Sequence, residues 1–111
     1  MAIENPWWAF RRELVESEKN APGVYELEGG YGEVIYIGGS AKVRSQLESH
    51  LKEPETSCLK RHAVRYRVGY TRDVEKRLEE LKSEFVRRHN DPPLCNRQAE
   101  APNDTSDRRT A

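Results

Sequence analysis

Nowhere does an apolar run approach the ~18 residues that a membrane-spanning helix needs, so no membrane partner is expected. The N-terminus lacks the apolar core of a secretory signal, because Trp7-Trp8-Ala9-Phe10 is followed at once by Arg11-Arg12. A cytoplasmic location is the resulting expectation. Cysteine is scarce. Cys58 and Cys95 lack CxxC spacing, and in a cytosolic chain they read as free thiols rather than a disulfide. His50, His62 and His89 are scattered, and no Cys/His set has zinc-site spacing. No internal repeat is present. A chain of 111 residues can bury one modest core and no second one.

Net charge is also missing, but the charges are unevenly placed. Residues 1–39 hold three Lys/Arg and seven Asp/Glu, residues 40–72 hold eight and three, and residues 73–111 hold eight and nine. A basic middle in a neutral chain reads either as a phosphate-binding face or as a solvated polar surface.

Asn5-Pro6 can open a helix, with Asn as cap and Pro at the first helical position, running to about Lys19. Trp7, Phe10 and Leu14 would form its buried stripe. Asn20-Ala21-Pro22-Gly23 then signals a turn. Val24-Tyr25-Glu26-Leu27 and Val34-Ile35-Tyr36-Ile37 flank a glycine-rich loop and read as a hairpin. Gly38-Gly39-Ser40 ends the second strand and offers a helix cap, and Val43, Leu47 and Leu51 recur at helical spacing. Residues 58–62 are ambiguous. From Ala63 to Tyr70 the chain alternates, with Val64, Tyr66, Val68 and Tyr70 on one face and Arg65 and Arg67 on the other. Val74, Leu78, Leu81 and Phe85 mark a last long helix, ending near His89-Asn90 before Pro92-Pro93. From Arg97 to Ala111 almost nothing is apolar, which reads as a disordered tail. The plan is an α+β domain: a small three-stranded antiparallel sheet flanked by helices. An N-terminal helix over 1–21 packs on a domain over 22–96, followed by the tail over 97–111.

Gly23-Val24-Tyr25, then Tyr36-Ile37-Gly38 eleven residues on, resembles the paired motifs of the GIY-YIG nuclease superfamily, in its GVY form. The family fold agrees with the plan. The resemblance extends through Glu84 to Asn96, twelve residues later, after a Pro-containing turn. It implies a metal-dependent endonuclease acting on DNA in preference to RNA. It implies Tyr25 and Tyr36 as the residues that orient or activate water. It implies Glu84 as ligand of one Mg²⁺ or Mn²⁺ ion, and Asn96 as a hydrogen-bonding brace at the sheet edge. Gly38 belongs to the same motif. One position departs. The family's phosphate-contacting arginine lies ten residues after the second tyrosine, where this chain has Gln46. A glutamine donates neutral hydrogen bonds but has no charge and no bidentate fork. Lys42, Arg44, Arg65 and Arg67 are the candidate replacement phosphate contacts, although Arg44 and Gln46 point about 160° apart on a helix.

Read without the family, Glu84 is half of an i,i+4 pair with Arg88, the tyrosines are strand aromatics and Asn96 is a turn residue. Two further functions therefore stand beside the nuclease. One is a non-catalytic nucleic-acid-binding module gripping phosphates through residues 40–72. The other is a protein-interaction module presenting Trp7 and Trp8. The family's nuclease domains are usually tethered to a DNA-binding domain, so specificity here would come from the domain itself, a homodimer or a protein partner.

Overall fold

The computed structural model describes residue 3 and residues 5–99. The elements run β1 (Trp8–Ala9), α1 (Arg12–Val15), β2 (Gly23–Glu28), β3 (Val34–Ser40), α2 (Val43–Leu51), α3 (Cys58–His62), β4 (Arg65–Tyr70), α4 (Val74–His89) and α5 (Leu94–Ala99). One antiparallel sheet has the order β1-β4-β2-β3. It is α+β as expected, with four strands rather than three.

The extra strand replaces most of the expected N-terminal helix. Left alone, β4 would be an edge with unpaired backbone groups. Trp8 and Ala9 pair with Tyr66 and Arg65, and the Phe10 N–H donates to the Val64 carbonyl at 2.9 Å. The Asn5 side chain donates to the Val68 carbonyl instead of capping a helix. Helical structure begins only at Arg12, and α1 lasts four residues.

The central strand β2 is buried along its whole length, and its alternation feeds two cores. Tyr25 and Leu27 join Tyr66 and Val68 of β4, Val43 and Leu47 of α2, and Leu59 of α3. Val24 joins Ile37, Leu81 and Ile3 on the opposite face, where Val74, Leu78 and Phe85 of α4 pack. Glu26 and Glu28 share that second face. Each is opposite an arginine of β4 in register, and the pairs Glu26–Arg67 and Glu28–Arg65 form. Neither β4 arginine therefore stands on an open outer face. The Arg67 guanidinium also stacks 4.3 Å from the centre of the Trp7 ring.

Two helix starts differ from the sequence reading. Strand β3 continues through Ser40, and Lys42 is the first cap of α2, with its N–H held by the Ser40 hydroxyl at 2.9 Å. The ambiguous residues 58–62 form α3, capped by Ser57, whose hydroxyl accepts from the Lys60 N–H. Helix α4 stops as expected, at Asn90 in the left-handed region (φ 66°). Helix α5 runs three residues past Asn96, to Ala99. The rest of the expected tail lies outside the described residues.

Cys58 and Cys95 are joined as a disulfide between α3 and α5, with Cα atoms 5.5 Å apart. This overturns the free-thiol expectation. Spacing along the chain carried no trace of the pairing, because only the packing of α3 against α5 brings the two residues together.

Candidate active site

The hairpin β2–β3 places Tyr25 directly opposite Gly38. A Cβ at Gly38 would sit 2.6 Å from the Tyr25 hydroxyl and 2.8 Å from the Tyr36 ring. The glycine of the second motif is thus the floor on which the first motif's tyrosine lies. Gly23 is constrained by backbone instead, since a Cβ there would meet the Gly69 carbonyl of β4 at 2.8 Å. The two tyrosine rings lie 6.1 Å apart, centre to centre.

Helix α2 supplies a third partner. Val43, Leu47 and His50 are its buried residues. His50 Nε2 is 2.8 Å from the Tyr25 hydroxyl, and its Nδ1 is 2.6 Å from Glu53 Oε2. An ionised carboxylate only accepts, so Nδ1 carries the proton toward Glu53. In the neutral imidazole Nε2 is then an acceptor for the Tyr25 O–H; the tautomer is assigned from these partners. The His50 ring also meets Tyr36 edge-on at 5.4 Å. Burial, then the neighbouring Tyr36 and Glu53, push the Tyr25 phenol far above the ordinary tyrosine range. Tyr25 stays protonated and also hydrogen-bonds with Tyr36. Sequence reasoning passed over His50 and Glu53. The available signal was a histidine on the apolar stripe of α2, in step with Val43 and Leu47.

A cavity of about 300 Å³ opens beside this cluster, lined by Tyr36, His50, Glu53, Thr56, Ser57 and the disulfide cysteines. Among the described residues no Lys or Arg lines it. Gln46 lies half-buried on α2, one turn before His50. Lys42 is exposed at the start of that helix. Arg44 sits near the Tyr70 phenol, where its charge opposes the upward shift of that group. Arg65 and Arg67 are held by Glu28 and Glu26.

Asn96 of α5 is buried against the free edge of β3. Its Oδ1 accepts from the Ile37 N–H at 2.8 Å, and its Nδ2 donates to the Ile37 carbonyl at 3.0 Å. This one side chain completes the backbone pairing of the residue between Tyr36 and Gly38. Glu84 lies on α4, 3.2 Å from Arg88. It lines a different cavity, of about 330 Å³, together with Glu26, Arg67, Arg88 and His89. Among the described residues no three His, Cys, Asp or Glu side chains gather as a metal-binding group. With Glu26 committed to Arg67, the donor set suits a hard cation held by one carboxylate and otherwise by water and phosphate oxygens, as Mg²⁺ commonly is. Trp8 is exposed and Trp7 is half-buried beneath Arg67.

The family described as a domain of unknown function, DUF7508, matches residues 1–88. The chain belongs to that family. Its fold is that of the GIY-YIG nucleases. The GIY-YIG N-terminal endonuclease domain of UvrC from Thermotoga maritima, bound to magnesium, superposes with a TM-score of 0.56 at 23% identity, over 75% of this chain and 91% of that one. A point mutant of the same domain, bound to its catalytic divalent cation, gives 0.55 at 23% identity, over 75% and 90%. UvrABC system protein C from Chlorobium luteolum is 33% identical over 64 residues, which is 58% of this chain. The chain spans only 10% of that relative's length. No helix among the described residues is long and apolar enough to cross a membrane.

Proposed function

We propose that this domain is a GIY-YIG-type endonuclease that hydrolyses DNA phosphodiester bonds with one Mg²⁺ or Mn²⁺ ion, in the cytoplasm. The observation that carries the reading is the hydrogen-bonded series Tyr36, Tyr25, His50 and Glu53 at the paired motifs. The likeness to a UvrC domain with a catalytic divalent cation supports it.

The series works as a proton path. In this path we assign the Tyr25 hydrogen to His50 Nε2 and the Tyr36 hydrogen to the Tyr25 oxygen. The Tyr36 oxygen keeps lone pairs for a water in the adjoining cavity. As that water attacks phosphorus, its proton moves to Tyr36, the Tyr36 proton to Tyr25, and the Tyr25 proton to His50. Each phenol gains one proton and loses one, and the charge ends as imidazolium beside the Glu53 carboxylate. A phenol that is hard to ionise suits this task, because Tyr25 passes a proton without holding a phenolate. Glu84 would hold the ion, which when bound offsets charge on the scissile phosphate and leaving oxygen. Asn96 keeps the Ile37 backbone, and hence Tyr36, in register. Gly38, Lys42 and Gln46 line the approach we assign to the phosphate, with Gln46 donating neutral hydrogen bonds, while Arg44, on the other side of α2 near Tyr70, would reach DNA only away from that point. Arg65 and Arg67 would contact DNA only at the expense of their glutamate pairs. A protein partner or a second copy of the chain would supply sequence or structure specificity.

Nicking of supercoiled plasmid with Mg²⁺ or Mn²⁺ tests the reading. Wild type should nick, and Glu84→Ala and Tyr36→Phe should not. An inert wild type, or undiminished nicking by Glu84→Ala, refutes it. One observation favours a second reading, a non-catalytic DNA-binding module: among the described residues no Lys or Arg lines the Tyr36 cavity. That reading predicts metal-independent binding that weakens steeply with salt, without cleavage.

A further inference from the structure

We propose that Glu53 is a positioning residue that fixes His50 in the Nδ1–H form, so that Nε2 presents its lone pair to Tyr25. The inference rests on the proton path proposed above for its kinetic consequence, but its structural content stands apart from activity. Three observations carry it. First, the His50 side chain is only 7% exposed, so water is a poor competitor for either ring nitrogen. Second, both nitrogens are engaged, Nδ1 by Glu53 at 2.6 Å and Nε2 by Tyr25 at 2.8 Å. Third, the backbone holds Glu53 where it is needed. Helix α2 ends at Leu51, and the tightened turn that follows, with the Glu53 N–H donating to the His50 carbonyl at 3.2 Å, folds Glu53 back over the ring.

Two partners of different character set the ring's polarity. A carboxylate accepts only, whereas a phenol both donates and accepts. The phenol therefore adapts to whatever the carboxylate imposes. Without Glu53, nothing prevents Nε2 from carrying the hydrogen. Tyr25 would then become an acceptor, and the hydrogen-bond direction from Tyr36 inward would be lost.

The test is the ¹⁵N spectrum of the His50 ring in the full chain, with kinetics beside it. Wild type should show the Nδ1–H pattern. Glu53→Ala should move the ring toward Nε2–H, and Glu53→Asp should restore Nδ1–H at least in part. Glu53→Gln can donate as well as accept, so it should no longer impose Nδ1–H, and it serves in place of Glu53→Ala if that variant fails to fold. A His50 ring that stays wholly Nδ1–H in Glu53→Ala, or in Glu53→Gln where Glu53→Ala does not fold, overturns the proposal. In the nicking assay Glu53→Ala should lose kcat by up to about 10²–10⁴-fold, the range of general acid–base assistance, with KM for plasmid unchanged, and unchanged kcat overturns the proposal. If wild type does not nick at all, the nuclease reading fails, and the tautomer measurement still decides the role of Glu53.

Discussion

Gly38 owes its lack of a side chain to the Tyr25 ring that occupies the space above it. Gly38→Ala should displace the Tyr25 hydroxyl from His50 and destabilise the fold by about 1–3 kcal/mol, read as a lower midpoint in urea unfolding. Gln46→Arg, on the helix turn before His50, should raise nicking if the missing charge is what limits the site; a loss of one such contact typically costs about 10²–10³ in rate. At this scale the sequence was uneven. Tyr25, Tyr36 and Asn96 were legible because motif spacing marked them. His50 and Glu53 were not, because their significance lies in a turn at the end of α2 that brings a carboxylate to a ring three residues back. Glu84 was legible by spacing, and the structure seats it in a cavity it shares with Glu26 and Arg67, two neighbours that spacing could not show.

The strands and helices were more readable than the contacts between them. Glycine-bounded runs of β-formers marked β2 and β3, period-two alternation marked β4, and the apolar stripe of Val74, Leu78, Leu81 and Phe85 marked α4. Strand β1 escaped notice because two residues carry no period, and its existence depends on the exposed edge of β4. The cross-strand pairing of Glu26 and Glu28 with Arg67 and Arg65 was likewise invisible, since register is a property of two strands together. Glu26→Ala would leave Arg67, whose side chain is 18% exposed, without its partner; a loss of about 3–5 kcal/mol is expected, measurable by calorimetry. A second clamp joins the loop after α1 to β4, where the Tyr66 and Tyr70 hydroxyls each donate to Glu18 at 2.7 Å. Burial, then the Glu18 contact, push the Tyr70 phenol up to about 12, and the same causes push Tyr66 higher. A phenol raised above its unfolded value of ~10 contributes stability that is complete below that pH. The contribution is lost as pH rises toward and through the folded value. Thermal midpoints should therefore fall from about pH 10 upward while phenolate absorbance rises, and Glu18→Gln, by bringing the folded values closer to the unfolded one, should make that fall smaller.

For the molecule as a whole, two cores on opposite faces of one sheet are joined by β2, and α5 closes the edge beside them. The Cys58–Cys95 bond ties α5 to α3 across a separation of 37 residues. Chain-entropy arguments give a loop of this length roughly 4 kcal/mol of stabilisation. Reduction by a dithiol, or Cys95→Ser, should lower the thermal midpoint, and Asn96 should loosen from β3, seen as faster hydrogen exchange at Ile37. The same bridge has a topological consequence. It encloses β4 and α4 in a covalent ring, so a backbone break inside that ring leaves one molecule. Arg72 is exposed on the short link between the two. Trypsin cutting there should yield a nicked species that migrates as a single chain without reductant and as two fragments with it. The cut would give α4, and with it Glu84, a new chain end while it stays tethered to the sheet through α5.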